Sequence, residues 1–210
     1  MSSIVSSMGR IALDLNSLET EFAAKSAMIR SGRLKLAIVS DFDDTMFDVT
    51  KSMHRATEEI KGRRMGKAEV HELPPDEKMA VYTTAYTKYD HTLEPNFALI
   101  DFYKRMYDAG AHIIVVSARR ENLREKTEEK LKKHSIKFKE VVLRPNEGYG
   151  GEPELEEWKA KMVEEIMKDY DEALLFEDMG YIIDHIMNRM KHKGIRYFLV
   201  KYPNEISEIR

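Results

Sequence analysis

No cysteine occurs among the 210 residues, so disulfides, thiolate metal ligands and cysteine nucleophiles are excluded together. Any metal this chain binds must be held through oxygen or imidazole. The seven histidines are scattered, with no pair at ligand spacing. No run approaches the ~20 apolar residues needed to cross a bilayer. The opening MSSIVSSMGRIALDL lacks the charged n-region and continuous apolar stretch of a signal peptide. The expectation is a soluble, cytoplasmic chain with no membrane partner. An excess of one charge is missing too: 34 Lys and Arg face 37 Asp and Glu, a net charge of −3. Such a balance does not single out nucleic acid as a partner. Internal repeats and low-complexity segments are also absent, and the length suits one domain with a full core and a modest insertion.

What is present is a rhythm of short apolar runs and helical patterns. LKLAIVSD (34–41), AHIIVVS (111–117), FKEVVL (138–143), EALLFED (172–178) and IRYFLVK (195–201) read as buried strands, because a continuous apolar run is what a parallel sheet covered on both faces requires. Helical patterns at 121–134, 155–170 and 179–193 alternate with them. The fold class is therefore α/β: an open, parallel, Rossmann-like sheet of about five strands with helices on both faces. In such sheets the site lies beyond the carboxyl ends of the strands, where strand order reverses. Ile11, Leu15, Leu18 and Phe22 place a further helix over 11–29, packed on the core or on a second copy of the chain.

Asp41 and Ser117, at the ends of the first two strands, stand much further apart than the roughly 30 residues of a simple crossover unit. The surplus reads as a small helical cap over 46–94, followed by the crossover helix in EPNFALIDFYKRMYDAG. The expected organisation is an N-terminal helix within 1–33, a core of 34–45 and 95–210, and the cap. GYGG (148–151) lacks the Gly-Lys-Ser/Thr of a nucleotide loop and reads as a connection. KGRRMGK (61–67) is a local basic cluster that reads as a solvated helix end or as a contact for an anionic substrate.

The first strand runs straight into Asp41, Asp43 and Asp44, with Asp48 close behind. Side chains alternate in an extended segment, so Asp41 and Asp43 can share one side while Phe42 points away. Two carboxylates there suit a nucleophile and metal ligand beside a general acid and base. A hard divalent cation such as Mg²⁺ would relieve their repulsion. A polar turn capped by Asp or Thr explains the same residues.

DFDDT (41–45), an apolar strand ending in Asp-x-Asp-x-Thr, resembles the first motif of the haloacid dehalogenase (HAD) superfamily of phosphatases. The resemblance covers about 34–201. It implies that Asp41 attacks phosphorus to form an aspartyl-phosphate, that Asp43 protonates the leaving oxygen and then activates water, and that Thr45 supports the turn at the substrate. The main-chain carbonyl of Asp43 would help Asp41 hold Mg²⁺. The second motif is matched by Ser117, whose hydroxyl can meet a phosphoryl oxygen, although an ordinary helix cap uses the same residue. Arg119, in SAR, resembles the arginine of polynucleotide 3′-phosphatases and several acid phosphatases, and can grip phosphate with a bidentate fork.

The third motif is a lysine, for which Lys159 and Lys161 compete. Leu155, Met162, Val163, Ile166 and Tyr170 form one stripe, and at ~100° per residue Lys159 falls near its middle and Lys161 on the far side. Lys159 is chosen, since a buried lysine needs an anionic partner; snorkelling along the helix is the alternative. The fourth motif is acidic. Asp178 would ligate Mg²⁺ directly, with Glu177 beside it in a place usually held by Asp, while Ile182 stands where a common form has a second Asp. Asp184 is expected on the polar side of the following helix.

Taken together, these residues imply a Mg²⁺-dependent phosphomonoester hydrolase acting on a small phosphorylated metabolite or nucleotide. The alternatives are a nucleic-acid end (3′-) phosphatase, supported by Arg119 and the basic cluster, and a non-catalytic phosphate-binding module.

Overall fold

A computed structural model describes residues 10–146, 154–190, 194–201 and 205–209. The GYGG connection lies outside the described residues. The chain divides into two compact units, Met1–Met46 with Asn96–Arg210 and, inserted between them, Phe47–Pro95.

The larger unit begins with β1 (Arg10–Ala12), α1 (Leu15–Arg30) and β2 (Leu36–Ser40). The inserted unit holds β3 (Phe47–Asp48), α2 (Thr50–Lys61), α3 (Lys67–His71), α4 (Pro75–Thr87) and β4 (Glu94–Pro95). The larger unit then resumes with α5 (Phe97–Asp108), β5 (His112–Arg120), α6 (Arg124–Lys133), β6 (Glu140–Arg144), α7 (Leu155–Ile166), β7 (Glu172–Glu177), α8 (Gly180–Met190), β8 (Ile195–Lys201) and β9 (Glu205–Ile209).

Seven strands form the main sheet in the order β1-β9-β8-β7-β2-β5-β6. Its centre is parallel: β2 pairs with β5 and β7, β5 with β6, and β7 with β8. All five β2 residues are buried, as a strand covered on both faces must be. Ala37 and Val39 join Trp158, Val163, Ile182 and Ile186 of α7 and α8 in one core layer. On the opposite face Phe102 and Tyr103 of α5 meet Phe176, which stacks on Phe198 at 4.7 Å between centroids. The chain leaves β2 for β5 and β6 on one side and returns to β7 on the other. Strand order therefore reverses at β2, and the ends of β2, β5 and β7 converge on the crevice where such folds place their chemistry.

Two features depart from the sequence reading. The edge is extended by antiparallel β9 on β8 and β1 on β9. Ile11 accordingly belongs to a strand, because Asp14 caps the helix: its Oδ1 accepts the Asn16 N–H at 3.0 Å, so α1 starts at Leu15. In addition, β5 continues past Ser117 to Arg120 through a register shift, and Ser117 is a strand residue rather than a helix cap.

In the inserted unit, Lys61 pairs with Glu77, Arg63 with Glu69 and Arg64 with Glu58. Most of the basic cluster is thus matched by carboxylates of its own unit.

Candidate active site

β2 delivers its carboxylates through a tightly held turn. The Asp41 N–H donates to the Phe176 carbonyl at 2.9 Å, extending the ladder to β7 by one residue. Behind it, the Tyr103 hydroxyl donates to Ser40 Oγ at 2.8 Å, and Ser40 Oγ donates to the Asp41 carbonyl at 2.8 Å. Burial pushes the Tyr103 phenol well above its ordinary range, which keeps it a donor. Asp44 then takes a left-handed conformation, φ 62°, a region an aspartate tolerates better than most side chains. Ser40 and Tyr103 went unnoticed in the sequence; the one available signal was a serine closing an otherwise apolar run.

Lys159 of α7 is buried against this turn. Its Nζ donates to Asp41 Oδ1 at 2.7 Å and to Glu177 Oε2 at 2.6 Å, with all three side chains at most 6% exposed. Burial alone would lower the ammonium's pKa, but the two carboxylates override it and hold the group well above its ordinary value. Burial pushes Glu177 well up, helped by the charges of Asp41 and Asp178 and opposed by Lys159. Glu177 Oε1 also accepts the Met179 N–H at 3.2 Å, which anchors the turn carrying Asp178. Lys161 is exposed, as the helical stripe implies.

Asp43 is held from the other side. Arg119 Nη2 donates to Asp43 Oδ1 at 2.8 Å and Nε to Oδ2 at 3.0 Å, a two-pronged grip. The guanidinium is fully buried, stacks over the Phe42 ring at 4.3 Å and reaches Thr127 Oγ1 at 3.4 Å. The Arg119 main-chain N–H donates to Ser117 Oγ at 3.2 Å. Burial raises the Asp43 carboxyl above its usual range, although Arg119 pulls it down. The fork expected to grip phosphate is therefore engaged by Asp43.

Thr45 is fully buried, and its Oγ1 has no hydrogen-bond partner among the described residues. Its carbonyl accepts from Asn96 Nδ2 at 3.4 Å. Asp184 corrects an expectation: it is buried, 7% exposed, rather than on a polar face. Its wheel position reports only its own helix's stripe, whereas side chains on a flank are also covered by neighbouring elements.

Asp41, Glu177 and Asp178 each bring a carboxylate oxygen to within 4.8 Å of the others. Three carboxylates around one ammonium leave net negative charge, and an all-oxygen donor set suits a hard divalent cation. The residues present thus fit Mg²⁺. Among the described residues no helix is long and apolar enough to cross a membrane.

Several comparisons bear on this arrangement. No curated protein matches the chain. A chain of the Pnkp1/Rnl/Hen1 complex shares the fold at 20% identity and a TM-score of 0.53, over 81% of this chain and 47% of that one. The present chain thus spans about half the length of that relative. A haloacid dehalogenase-like hydrolase from Streptococcus pneumoniae matches at 15% identity and a TM-score of 0.51, over 78% and 83% of the two chains. The class C acid phosphatase from Bacillus anthracis is 19% identical over 90% of this chain and 74% of its own, at a TM-score of 0.47. The family model described as HAD superfamily, subfamily IIIB (acid phosphatase), matches residues 8–204. With that model spanning nearly the whole sequence, the chain belongs to the acid phosphatase subfamily IIIB of the HAD superfamily.

Proposed function

We propose that the protein is a Mg²⁺-dependent phosphomonoester hydrolase acting through an aspartyl-phosphate on Asp41, with a small phosphorylated metabolite or nucleotide as substrate. The observation that carries this reading is Lys159, buried between Asp41 and Glu177 with Asp178 adjacent, at the carboxyl ends of β2 and β7.

In this reading an Asp41 oxygen attacks phosphorus while the bond to the leaving oxygen breaks, and Asp43 gives that oxygen its proton. Asp43, now a carboxylate, takes a proton from water as the water attacks phosphorus; the acyl-phosphate bond breaks, and phosphate and the Asp41 carboxylate are released. The raised pKa of Asp43 suits the first of these tasks, and its fork from Arg119 holds the carboxyl in one orientation. Lys159 orients Asp41 and places positive charge beside it. Ser117 and Thr45 are assigned to the phosphoryl oxygens, a role that would give the Thr45 hydroxyl the partner it lacks. Asp41, Asp178 and the Asp43 carbonyl, with Glu177 beside them, would hold Mg²⁺, which would supply charge neutralisation to the phosphoryl group. Because little covalent work is asked of the protein, positioning and electrostatics carry most of the rate.

The nucleic-acid alternative loses its two supports: Arg119 is engaged by Asp43, and Lys61, Arg63 and Arg64 are paired within their own unit. In this reading the inserted unit, Phe47–Pro95, is the small helical cap. A panel of phosphorylated metabolites, nucleotides and end-phosphorylated oligonucleotides, assayed with and without Mg²⁺, tests the proposal. Phosphate release from small esters that stops on chelation is expected. If no panel member and no aryl phosphate is hydrolysed, the reading fails.

A further inference from the structure

At the opposite end of the central strands, a cleft of about 560 Å³ opens where β2 and β5 begin. Its volume lies within the range of small-molecule sites, roughly 300–1,000 Å³. Tyr170 contributes a half-buried ring, backed by the buried side chains of Leu34 and Leu36. His112 meets that ring edge-on, centroids 5.6 Å apart, with its Nδ1 2.8 Å from the tyrosine hydroxyl. Burial and the charge of Lys139 hold the imidazole below its ordinary pKa, so it is neutral near pH 7.

Three cations, Arg30, Lys35 and Lys139, line the same cleft. Among the described residues none of them has an ion-pair partner; Arg30 reaches only Ser26 Oγ, at 3.2 Å. Some cations of this unit have carboxylate partners, Lys25 with Glu172, Arg105 with Glu19, and Arg196 with Glu21 and Glu208, whereas Arg33, which reaches Ser31 Oγ, has none among the described residues. What sets Arg30, Lys35 and Lys139 apart is that they share one cleft. Asp169 is the one carboxylate of the lining, so the cleft stays positive. Like charges gathered around an apolar floor gain nothing from one another, and an anion would resolve them. Six residues of extended chain, roughly 20 Å, separate Lys35 from Asp41, so the cleft is distinct from the candidate active site.

We propose that this cleft is a second binding site, for a small phosphorylated molecule that carries a ring. Arg30, Lys35 and Lys139 take the phosphate, and Tyr170, backed by the buried Leu34 and Leu36, takes the ring. The inference does not depend on the catalytic reading. Its test is a two-dimensional amide NMR titration of the full chain at low salt, using α,β-methylene-ADP, which offers no hydrolysable terminal ester, and inorganic phosphate in parallel. Saturable shifts at Gly32, Gly110 and His112 are expected with the nucleotide analogue. The pair Lys35→Glu with Lys139→Glu should weaken them at least about tenfold, some 1.4 kcal/mol. Should that pair unfold, Lys35→Gln with Lys139→Gln carries the same comparison. Absence of saturable shifts at millimolar analogue, or shifts that persist in the variants, overturns the site. Equal affinity for inorganic phosphate overturns the assignment of a ring-bearing ligand.

Discussion

Arg119 grips both carboxylate oxygens of Asp43, at 2.8 and 3.0 Å, from a position with no exposed side-chain surface. Its guanidinium plane lies on Phe42 and its outer nitrogen on Thr127, so the fork has one orientation available. Such a group can aim the proposed proton carrier but has little freedom to follow a substrate. We therefore expect Arg119→Lys, which keeps the charge and loses the fork, to lower kcat about a hundredfold on alkyl phosphates, within the usual range for general acid catalysis. The loss should be smaller on p-nitrophenyl phosphate, whose leaving group needs no proton, and KM should move little. A large KM increase shared by both substrates would instead indicate a phosphate contact.

The same pair sets a pH dependence. Burial raises the Asp43 pKa in the folded protein, and in the proposed mechanism its protonated form is the one that serves the leaving group. That form is present below the raised pKa and is lost as pH rises through it, so activity on alkyl phosphates should fall on the alkaline side. The contribution to stability has the same sign: fully present below the unfolded value near ~3.9, it fades as pH climbs through the folded value. Removing the group that lowers Asp43, in Arg119→Ala, should shift the alkaline limb of kcat/KM to higher pH. A limb that stays in place would detach it from Asp43.

Lys159 separates structure from bystander charge. Lys159→Met leaves the buried carboxylates of Asp41 and Glu177 without their cation, and should cost about 3–5 kcal/mol in denaturant unfolding without metal. Added Mg²⁺ should recover part of that loss. Lys161→Met, on the exposed side of α7, should stay within about 0.5 kcal/mol.

Thr45 offers a cleaner separation of binding from folding. Its hydroxyl is buried without a partner, so the isosteric Thr45→Val removes a group that stabilises nothing in the described structure. Unfolding should be unchanged or slightly harder, while kcat/KM falls about tenfold, the worth of roughly 1.4 kcal/mol. Loss of stability with unaltered kinetics would assign Thr45 to the turn instead.

The parallel centre of the sheet was legible because burial on both faces leaves a continuous apolar run, and the position of Lys159 was legible because a helical stripe assigns an angle to every residue. The edge was not. β9, EISEI, is five residues mixing exposed and buried positions, and β1 is a three-residue strand whose Ile11 lies in phase with the helix behind it. Neither carries a period long enough to read. The Arg119–Asp43 pairing was beyond reach for another reason: both residue types were recognised, but which anion an arginine fork meets depends on the bend of β5 after Ser117. Thr127, supplied by the next helix, carries no sequence signal at all.

The nucleophilic role of Asp41 is tested most directly by quenching the enzyme in acid during turnover, reducing it with borohydride and sequencing its peptides by mass spectrometry. An acyl-phosphate at Asp41 is reduced to homoserine, whereas a free carboxylate is not. The account predicts homoserine at position 41 only when substrate and Mg²⁺ are both present. Steady phosphate release with an unmodified Asp41 throughout would contradict it.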